Sequence, residues 1–158
     1  MEKDEASISS LLKASYPDLM SASYDPALLA AALPMMTRAN PILLASGTYY
    51  VVENDAGGMV GCGGWSKDRP GNGEISQNLG HIRHFATDPK WLCCGIGRML
   101  YTRCKTVARA SRMDRFECYA SLNAEGFYKA LGFEATGRVD ILMGPQVRLP
   151  AVLMTAAV

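Results

Sequence analysis

The sequence predicts a domain of the α/β (α+β) class, with elements in the order ααββ-loop-βαβαββ. Three observations carry this prediction. Apolar residues recur at helical spacing in roughly the first forty residues, β-branched and aromatic strand segments begin at Thr48, and strands then alternate with helices. No repeat and no linker-like composition interrupts the chain, so residues 1–158 are expected to form one domain.

Two helices are predicted before the first strand. The first covers residues 5–14, and Pro17 is expected to lie at its end or just past it. The second begins at the Asp-Pro pair of residues 25–26, because an Asp side chain caps free amides and Pro suits the first helical position. The Asn-Pro pair of residues 40–41 is expected to break this helix.

Six segments have the composition of strands, and two helices separate the later ones. The first two strands flank a turn of Asn, Asp and Gly, which predicts a hairpin. The predicted strands are residues 48–52, 59–65, 81–87, 116–120, 139–143 and 151–155, with helices at 97–112 and 123–131. A long polar loop at 67–78 precedes the third strand, and loops of this length are often functional. Gly132 is expected to cap the last helix.

The composition excludes several classes of function. The net charge of +1 provides no general attraction to nucleic acid or to an anionic membrane, so neither partner is expected. The five cysteines lack a C-x-x-C spacing, which argues against a zinc site or a disulfide framework and predicts reduced thiols. The acidic start is unlike a targeting peptide, and the longest apolar run, residues 27–36, is too short to span a bilayer. These features predict a cytoplasmic protein that holds no metal.

A glycine turn between a strand and a helix is the most informative stretch, within residues 81–100. The first amides of a helix lack internal partners, and glycines let the backbone approach a phosphate. Residues 90–112 contain six basic residues and no acidic one, which suits a polyphosphate, although a solvated basic helix face looks the same. A dinucleotide fingerprint would need Gly where Leu100 stands, and a P-loop would need Lys where Arg98 stands.

The stretch resembles motif A of the GNAT superfamily of N-acetyltransferases, whose pattern is Gln/Arg-x-x-Gly-x-Gly/Ala. Gly95 and Gly97 match this pattern, whereas Leu92 stands where the family has Gln or Arg. Residues 123–133 resemble motif B, with its Asn, its Tyr and its closing Gly-Phe, and residues 149–154 are similar to the family's last strand. The resemblance implies a mixed, twisted sheet of about six or seven strands, with helices on both faces and central parallel strands that splay apart.

The resemblance also implies acetyl-CoA as co-substrate and a set of residues that bind it. Backbone amides of residues 93–98 would hold the pyrophosphate, and residues 85–87 would offer strand groups to the pantetheine arm and an amide to the oxyanion. Asn123 would act as a helix N-cap, a ligand of the cofactor, or both. The implied cofactor-binding residues are Phe85, Ala86, Thr87, Leu92, Cys93, Cys94, Gly95, Ile96, Gly97, Arg98, Asn123 and Tyr128.

Acetyl transfer to an amine requires that the amine lose a proton, because a free amine is almost wholly protonated at neutral pH. His81 stands where many family members carry a Glu or His that serves through water, and His84 is the second candidate. Tyr128 would give a proton to the leaving thiolate. The alternatives without a catalytic role are that His81 is a rim or core histidine and that Tyr128 is a core aromatic. The amine could also arrive neutral and need no base. Strand alternation is expected to place His81, Arg83, Phe85 and Thr87 on one face, and Ile82 and His84 on the other.

The resemblance implies an acyltransferase that passes acetyl to a small-molecule or peptide or protein amine, directly within a ternary complex. A rival interpretation is a coenzyme A-binding sensor or interaction module without catalysis, which the departure at Leu92 favours. A generic nucleotide-binding domain is a third alternative and predicts binding of ATP or NAD. The adjacent Cys93 and Cys94 lie in no motif for covalent catalysis. A homodimer is compatible with the resemblance, and the acceptor and the acyl chain length stay open.

Overall fold

The computed structural model describes residues 2–158, with side chains from Asp4 onward. Their elements follow the predicted order, with one further helix before the first strand. In chain order they are α1 (Glu2–Met20), α2 (Pro26–Met36), α3 (Pro41–Ala45), β1 (Tyr49–Glu53), β2 (Met59–Ser66), β3 (Leu79–Thr87), α4 (Ile96–Ala110), β4 (Arg115–Ser121), α5 (Glu125–Ala130), β5 (Glu134–Leu142) and β6 (Arg148–Ala157). One-turn 3₁₀ helices precede α4 and α5.

The six strands form one mixed sheet in the order β1-β2-β3-β4-β6-β5. Every neighbouring pair is antiparallel except β3 and β4, which run parallel. Their ladder begins at Leu79 and Arg115 and ends at the pair His81 and Glu117, and within the described chain the strands are unpaired with each other beyond it. The predicted splay of the central parallel strands is therefore present.

Helices cover both faces of the sheet, as expected. On one face Tyr101 of α4 and Tyr128 of α5 pack against Trp65 and Phe116 of the sheet. On the other face α1 packs Ile8, Leu11 and Leu12 against Cys62 of β2 and Ala86 of β3, and α2 packs against Leu149 of β6. These two layers contain the buried apolar side chains of the core, and their burial is the main source of stability.

Two predictions about the N-terminal helices are wrong. Helix α1 does not end at Pro17 but continues through it to Met20, which is buried against Tyr24 of the following turn. Burial of this last turn offsets the cost of a proline inside the helix. Helix α2 ends at Met36, before the Asn-Pro pair at 40–41, and this pair instead begins α3, because the Asn40 side chain accepts from two amides and caps that helix. The predicted start of α2 is confirmed, since Asp25 caps it.

A bulge in β3 overturns the expected alternation of its side chains. Cys62 pairs with Ala86 but Gly64 pairs with Arg83, so β3 carries one residue more than β2 in this interval. His84 accommodates the bulge in the left-handed region, with φ of 49°. As a result Ile82 and Phe85, which alternation would separate, both face α4 and α5.

Candidate active site

A cavity of about 250 Å³ occupies the opening between β3 and β4. One wall is α1, one is the last third of β3, and the remainder comes from the end of β4 and from α5. Its lining residues are Ser15, Tyr16, Leu19, Met20, Phe85, Ala86, Thr87, Leu92, Gly97, Ser121, Asn123, Ala124, Phe127 and Tyr128. We refer to this cavity as the cleft. It brings together seven of the twelve residues that the resemblance implied for cofactor binding.

The glycine turn leaves the start of α4 open to a ligand. Cys93 and Gly95 adopt positive φ angles of 61° and 78°, which turn the chain sharply into the helix. Gly95 is the N-cap residue and supplies no capping side chain, and the first turn of α4 contains no acidic residue. The amides of this turn therefore have the orientation and the helix dipole that an anion requires. Asp88 instead caps the preceding 3₁₀ helix, accepting from the Lys90 amide at 2.9 Å.

Gly97 matters because α5 packs directly over the start of α4. A Cβ on Gly97 would lie 2.7 Å from the ring of Phe127, so even an alanine would push that ring aside. The Nη2 of Arg98 donates to the Ala130 carbonyl of α5 at 3.4 Å. Leu92, the residue that departs from the family pattern, is 42% exposed and contributes an apolar surface to the cleft.

Tyr128 lines the cleft and lies among aromatic side chains. Its ring centroid is 6.4 Å from that of Phe85, 5.0 Å from Phe127 and 5.3 Å from Phe133. Burial raises the pKa of Tyr128 well above its usual value, and the neighbouring Cys118 raises it further. The phenol therefore keeps its proton throughout the neutral and mildly alkaline range, as a proton donor must.

His81 is at the fork where the parallel strands part, and it is 2% exposed. Its Nδ1 is 3.6 Å from Oε1 of Glu117, which also lies 3.5 Å from Nη2 of Arg69 in the polar loop. Burial lowers the pKa of His81, the Glu117 carboxylate opposes this, and Arg69 adds to the lowering. The residues that line the cleft in the described structure do not include His81, so its role as a general base stays a prediction.

The sequence did not predict that α1 forms one wall of the cleft. The Tyr16 hydroxyl donates to the Phe85 carbonyl at 3.2 Å, which ties the helix to the β3 bulge. Ser15 is fully buried in this wall, and its Oγ has no hydrogen-bond partner among the described residues. No motif marks these two residues, since their position depends on how α1 crosses the sheet.

Of the two roles considered for Asn123, the structure does not show the helix cap. Asn123 lies within the 3₁₀ helix Leu122–Ala124, and the N-cap of α5 is Ala124, which has no capping side chain. Its side chain is free for the other role considered, because Asn123 lines the cleft. Gly132, by contrast, follows α5 with φ of 100°, and its predicted capping role is confirmed.

The five cysteines are free and fall into two groups. Cys93 and Cys94 are exposed in the glycine turn, whereas Cys62, Cys104 and Cys118 are buried. Burial raises the pKa of Cys62 to about 11 and that of Cys104 and of Cys118 to about 12. Within residues 2–158, no cluster of three or more potential metal ligands exists.

We expect an alkylating reagent to modify two of the five cysteines in the folded protein, because only Cys93 and Cys94 are exposed. Intact mass after brief treatment measures the number of adducts. All five should react after denaturation. Rapid modification of three or more cysteines without denaturant would contradict the burial of Cys62, Cys104 and Cys118.

The fold combines a cleft between two parting parallel strands with the uncapped start of helix α4. A family profile described as an acetyltransferase (GNAT) domain matches residues 45–135. This match spans more than half of the chain, and the protein belongs to the GNAT acetyltransferase family. No curated protein sequence matches the chain. None of the helices formed by residues 2–158 combines the length and apolar character needed to cross a bilayer.

Solved structures of the same fold are similar along nearly the whole chain. A GCN5-related N-acetyltransferase structure from Rhodopseudomonas palustris, whose description also reads aminotransferase, class-II, has a TM-score of 0.79 at 19% identity, covering 100% of this chain and 92% of that one. The PaiA N-acetyltransferase from Thermoplasma acidophilum, in complex with coenzyme A, has a TM-score of 0.71 at 12% identity, with coverage of 99% and 94%. An acetyltransferase of the GNAT family from Staphylococcus aureus Mu50 has a TM-score of 0.69 at 14% identity, with coverage of 99% and 94%. These similarities establish the fold.

Proposed function

We propose that this protein is an N-acetyltransferase that passes the acetyl group of acetyl-CoA directly to an amine in a ternary complex. The observation that carries the proposal is the cleft between β3 and β4, where the facing edges of the two strands are not paired with each other and where Gly97 brings in the uncapped start of α4. The family match supports acyl transfer, and we propose in addition that the acceptor is an amine. A cytoplasmic location suits the exposed, reduced thiols of Cys93 and Cys94.

The residues present fit coenzyme A. The pyrophosphate would lie against the amides of residues 93–98, where Cys93 and Gly95 have positive φ angles and nothing lies within 4 Å of a Cβ built on Gly95. The pantetheine arm would pair with the open edge of residues 85–87, which is not in the ladder between β3 and β4. Asn123 and Leu92 line the same cleft and would lie beside the bound coenzyme A.

The reaction is a substitution at the thioester carbonyl, and the protein has to move the protons that accompany it. The neutral amine attacks the thioester carbonyl, a C–N bond forms and the C–S bond breaks. The amine nitrogen gives up one proton, and the thiolate takes one. Tyr128 lines the cleft and keeps its proton at neutral pH, so it can supply the proton to sulfur and recover one from solvent. A strand amide of residues 85–87 can stabilise the negative charge that develops on the carbonyl oxygen.

A coenzyme A-binding module without catalysis is the second candidate. The observation that favours it is Leu92, which presents an apolar, 42% exposed side chain where the family carries Gln or Arg. This residue removes a possible side-chain contact to phosphate but leaves the backbone amides in place. We therefore expect weaker binding of coenzyme A and not its loss.

Thermal unfolding with and without acetyl-CoA tests the proposal, with ATP and NAD as controls. At a hundredfold excess over the dissociation constant, a ligand stabilises the folded state by about 2.7 kcal/mol. For a chain of this length the midpoint should rise by roughly 5–10 °C. Acetyl-CoA should produce this rise, and the two controls should not.

Transfer itself is measured next, by mass spectrometry of a panel of amines incubated with the protein and acetyl-CoA. Acetylated product confirms the enzyme. Binding of acetyl-CoA with no product across small-molecule and peptide amines favours the non-catalytic module. A midpoint that does not move at millimolar acetyl-CoA would refute both, whatever the fold.

A further inference from the structure

Helix α1 crosses the opening between β3 and β4 and closes the cleft on one face of the sheet. It lies against both 3₁₀ helices that follow these strands, Pro89–Trp91 after β3 and Leu122–Ala124 after β4. The part of α1 that lines the cleft is one helical face near its end, formed by Ser15, Tyr16, Leu19 and Met20. A ligand between the strand ends would therefore contact this face of α1.

Two of these four residues are polar, and one of the two is already engaged. The Tyr16 hydroxyl donates to the Phe85 carbonyl at 3.2 Å. The Ser15 hydroxyl has no partner among the described residues, and the Ser15 side chain is 0% exposed. Leu19 and Met20 present apolar surface. Ser15 is therefore the uncommitted side-chain donor that the described part of this face presents to the cleft.

A serine or threonine hydroxyl on a helix can donate back to the carbonyl four residues earlier. In α4, Thr102 donates in this way to the Arg98 carbonyl at 2.9 Å, and Thr106 to the Thr102 carbonyl at 3.0 Å. Ser15 makes no such bond, although water cannot reach it and an unsatisfied buried hydroxyl destabilises the folded state. Its hydroxyl would gain a first hydrogen bond when a ligand enters the cleft.

The cleft is narrow and dry beside Ser15. Ser15, Met20, Ala86 and Tyr128 all line it, yet each is at most 6% exposed. A hydrogen bond formed there displaces no bond between Ser15 and water, so it favours binding more than a surface bond would.

Entry of a ligand requires this turn of α1 to move outward, and Pro17 makes that movement easier. Pro17 lies inside the helix, two residues after Ser15. It has no amide hydrogen to donate to the carbonyl four residues earlier, so one backbone bond of the helix is missing here. Helices bend most readily at such positions.

The ligand group that suits a neutral hydroxyl donor is a carbonyl oxygen. Under the proposed function the cleft receives the acylated pantetheine arm of acetyl-CoA, which carries amide carbonyls and the thioester carbonyl. Residues 85–87 of β3 would pair with one side of this arm, and α1 would lie over it. The Ser15 hydroxyl would then be within the same narrow space as the carbonyl groups of the arm.

We propose that Ser15 binds the acyl-pantetheine arm of the cofactor by donating a hydrogen bond to one of its carbonyl oxygens. This inference rests on the proposed function and adds to its site a residue that no motif marks. The unsatisfied hydroxyl lowers the stability of the free protein, and the bond to the ligand stabilises the complex. Removal of the hydroxyl should therefore have opposite effects on the free protein and on the complex.

Ser15→Ala tests the inference, by calorimetric titration with acetyl-CoA and with CoA and by thermal unfolding of the free protein. We expect Kd for acetyl-CoA to rise roughly 5–10-fold, which corresponds to the loss of one hydrogen bond. The midpoint of the free variant should equal or exceed the native one, because an unsatisfied hydroxyl is removed and alanine favours the helix. Equal losses with both ligands assign an amide carbonyl of the arm, and a loss confined to acetyl-CoA assigns the thioester carbonyl.

Tyr101→Phe is the control for removing a buried hydroxyl. The Tyr101 hydroxyl is also unpartnered among the described residues, but Tyr101 does not line the cleft. Its removal should leave both Kd values unchanged. Native affinity for both ligands in Ser15→Ala would overturn the inference, and so would weaker binding that accompanies a lowered midpoint. Failure of the native protein to bind either ligand would instead count against the proposed function.

Discussion

A Tyr128→Phe variant is expected to lose about 100-fold in kcat while binding acetyl-CoA as tightly as the native protein. The substitution removes one hydroxyl and keeps the ring that packs against Phe85, Phe127 and Phe133. Since burial keeps the Tyr128 pKa well above its usual value, the native phenol is protonated at every pH at which the assay is run. The native enzyme should therefore show no alkaline loss of activity from this group below about pH 10.

Tyr101→Phe is the matched control. Tyr101 is another buried phenol of the same apolar cluster, its hydroxyl is unpartnered among the described residues, and it does not line the cleft. Removing that hydroxyl should leave kcat unchanged and the midpoint of unfolding equal or slightly higher. If Tyr128→Phe retains native kcat in assays limited by chemistry, Tyr128 is a core aromatic and the proton reaches sulfur from another source.

A Gly63→Ala variant is expected to unfold about 4–8 °C lower than the native protein and to bind acetyl-CoA more weakly. A Cβ on Gly63 would stand 2.6 Å from the Phe85 ring, which has to move. Overpacking of this kind costs about 2 kcal/mol. Phe85 contacts Tyr128 across the cleft, so a displaced ring also narrows the path of the ligand. Thermal unfolding with and without acetyl-CoA measures both effects.

Gly137→Ala in β5 is the corresponding control, because nothing lies within 4 Å of a Cβ built there. Its midpoint and its shift with acetyl-CoA should match those of the native protein. A Gly63→Ala variant that is as stable as Gly137→Ala would mean that Phe85 has room to move. The link between β2 and the cleft would then be absent.

The elements that carry local signals could be predicted from the sequence. Asp25 and Gly132 start and end helices through their own backbone and side-chain chemistry, and the structure has them in those roles. The glycine turn and the motif B helix could also be predicted, because the residues that mark them lie close together along the chain. The open parallel ladder came from the resemblance, and the fold confirms it.

Features that depend on distant contacts could not be predicted. The continuation of α1 past Pro17 depends on the burial of Met20 against α2. The bulge at His84 requires Gly63 and Phe85 to accommodate each other across two strands, which periodicity within β3 does not reveal. Ser15 and Tyr16 reach the cleft only because α1 crosses the sheet there. Each of these features lies in or beside the candidate site.

The short ladder that ends at His81 and Glu117 also affects the cohesion of the molecule. Within each half of the sheet, strands β1 to β3 and strands β4 to β6, neighbouring strands are joined by antiparallel ladders. The seam between the halves, where β3 meets β4, has three residue pairs. Helices on the two faces, and not backbone hydrogen bonds, hold the halves together beyond that seam. A ligand laid along the gap would act as the missing strand. Its binding energy would then strengthen the protein's own architecture, and amide hydrogen exchange along the seam should slow when the gap is filled.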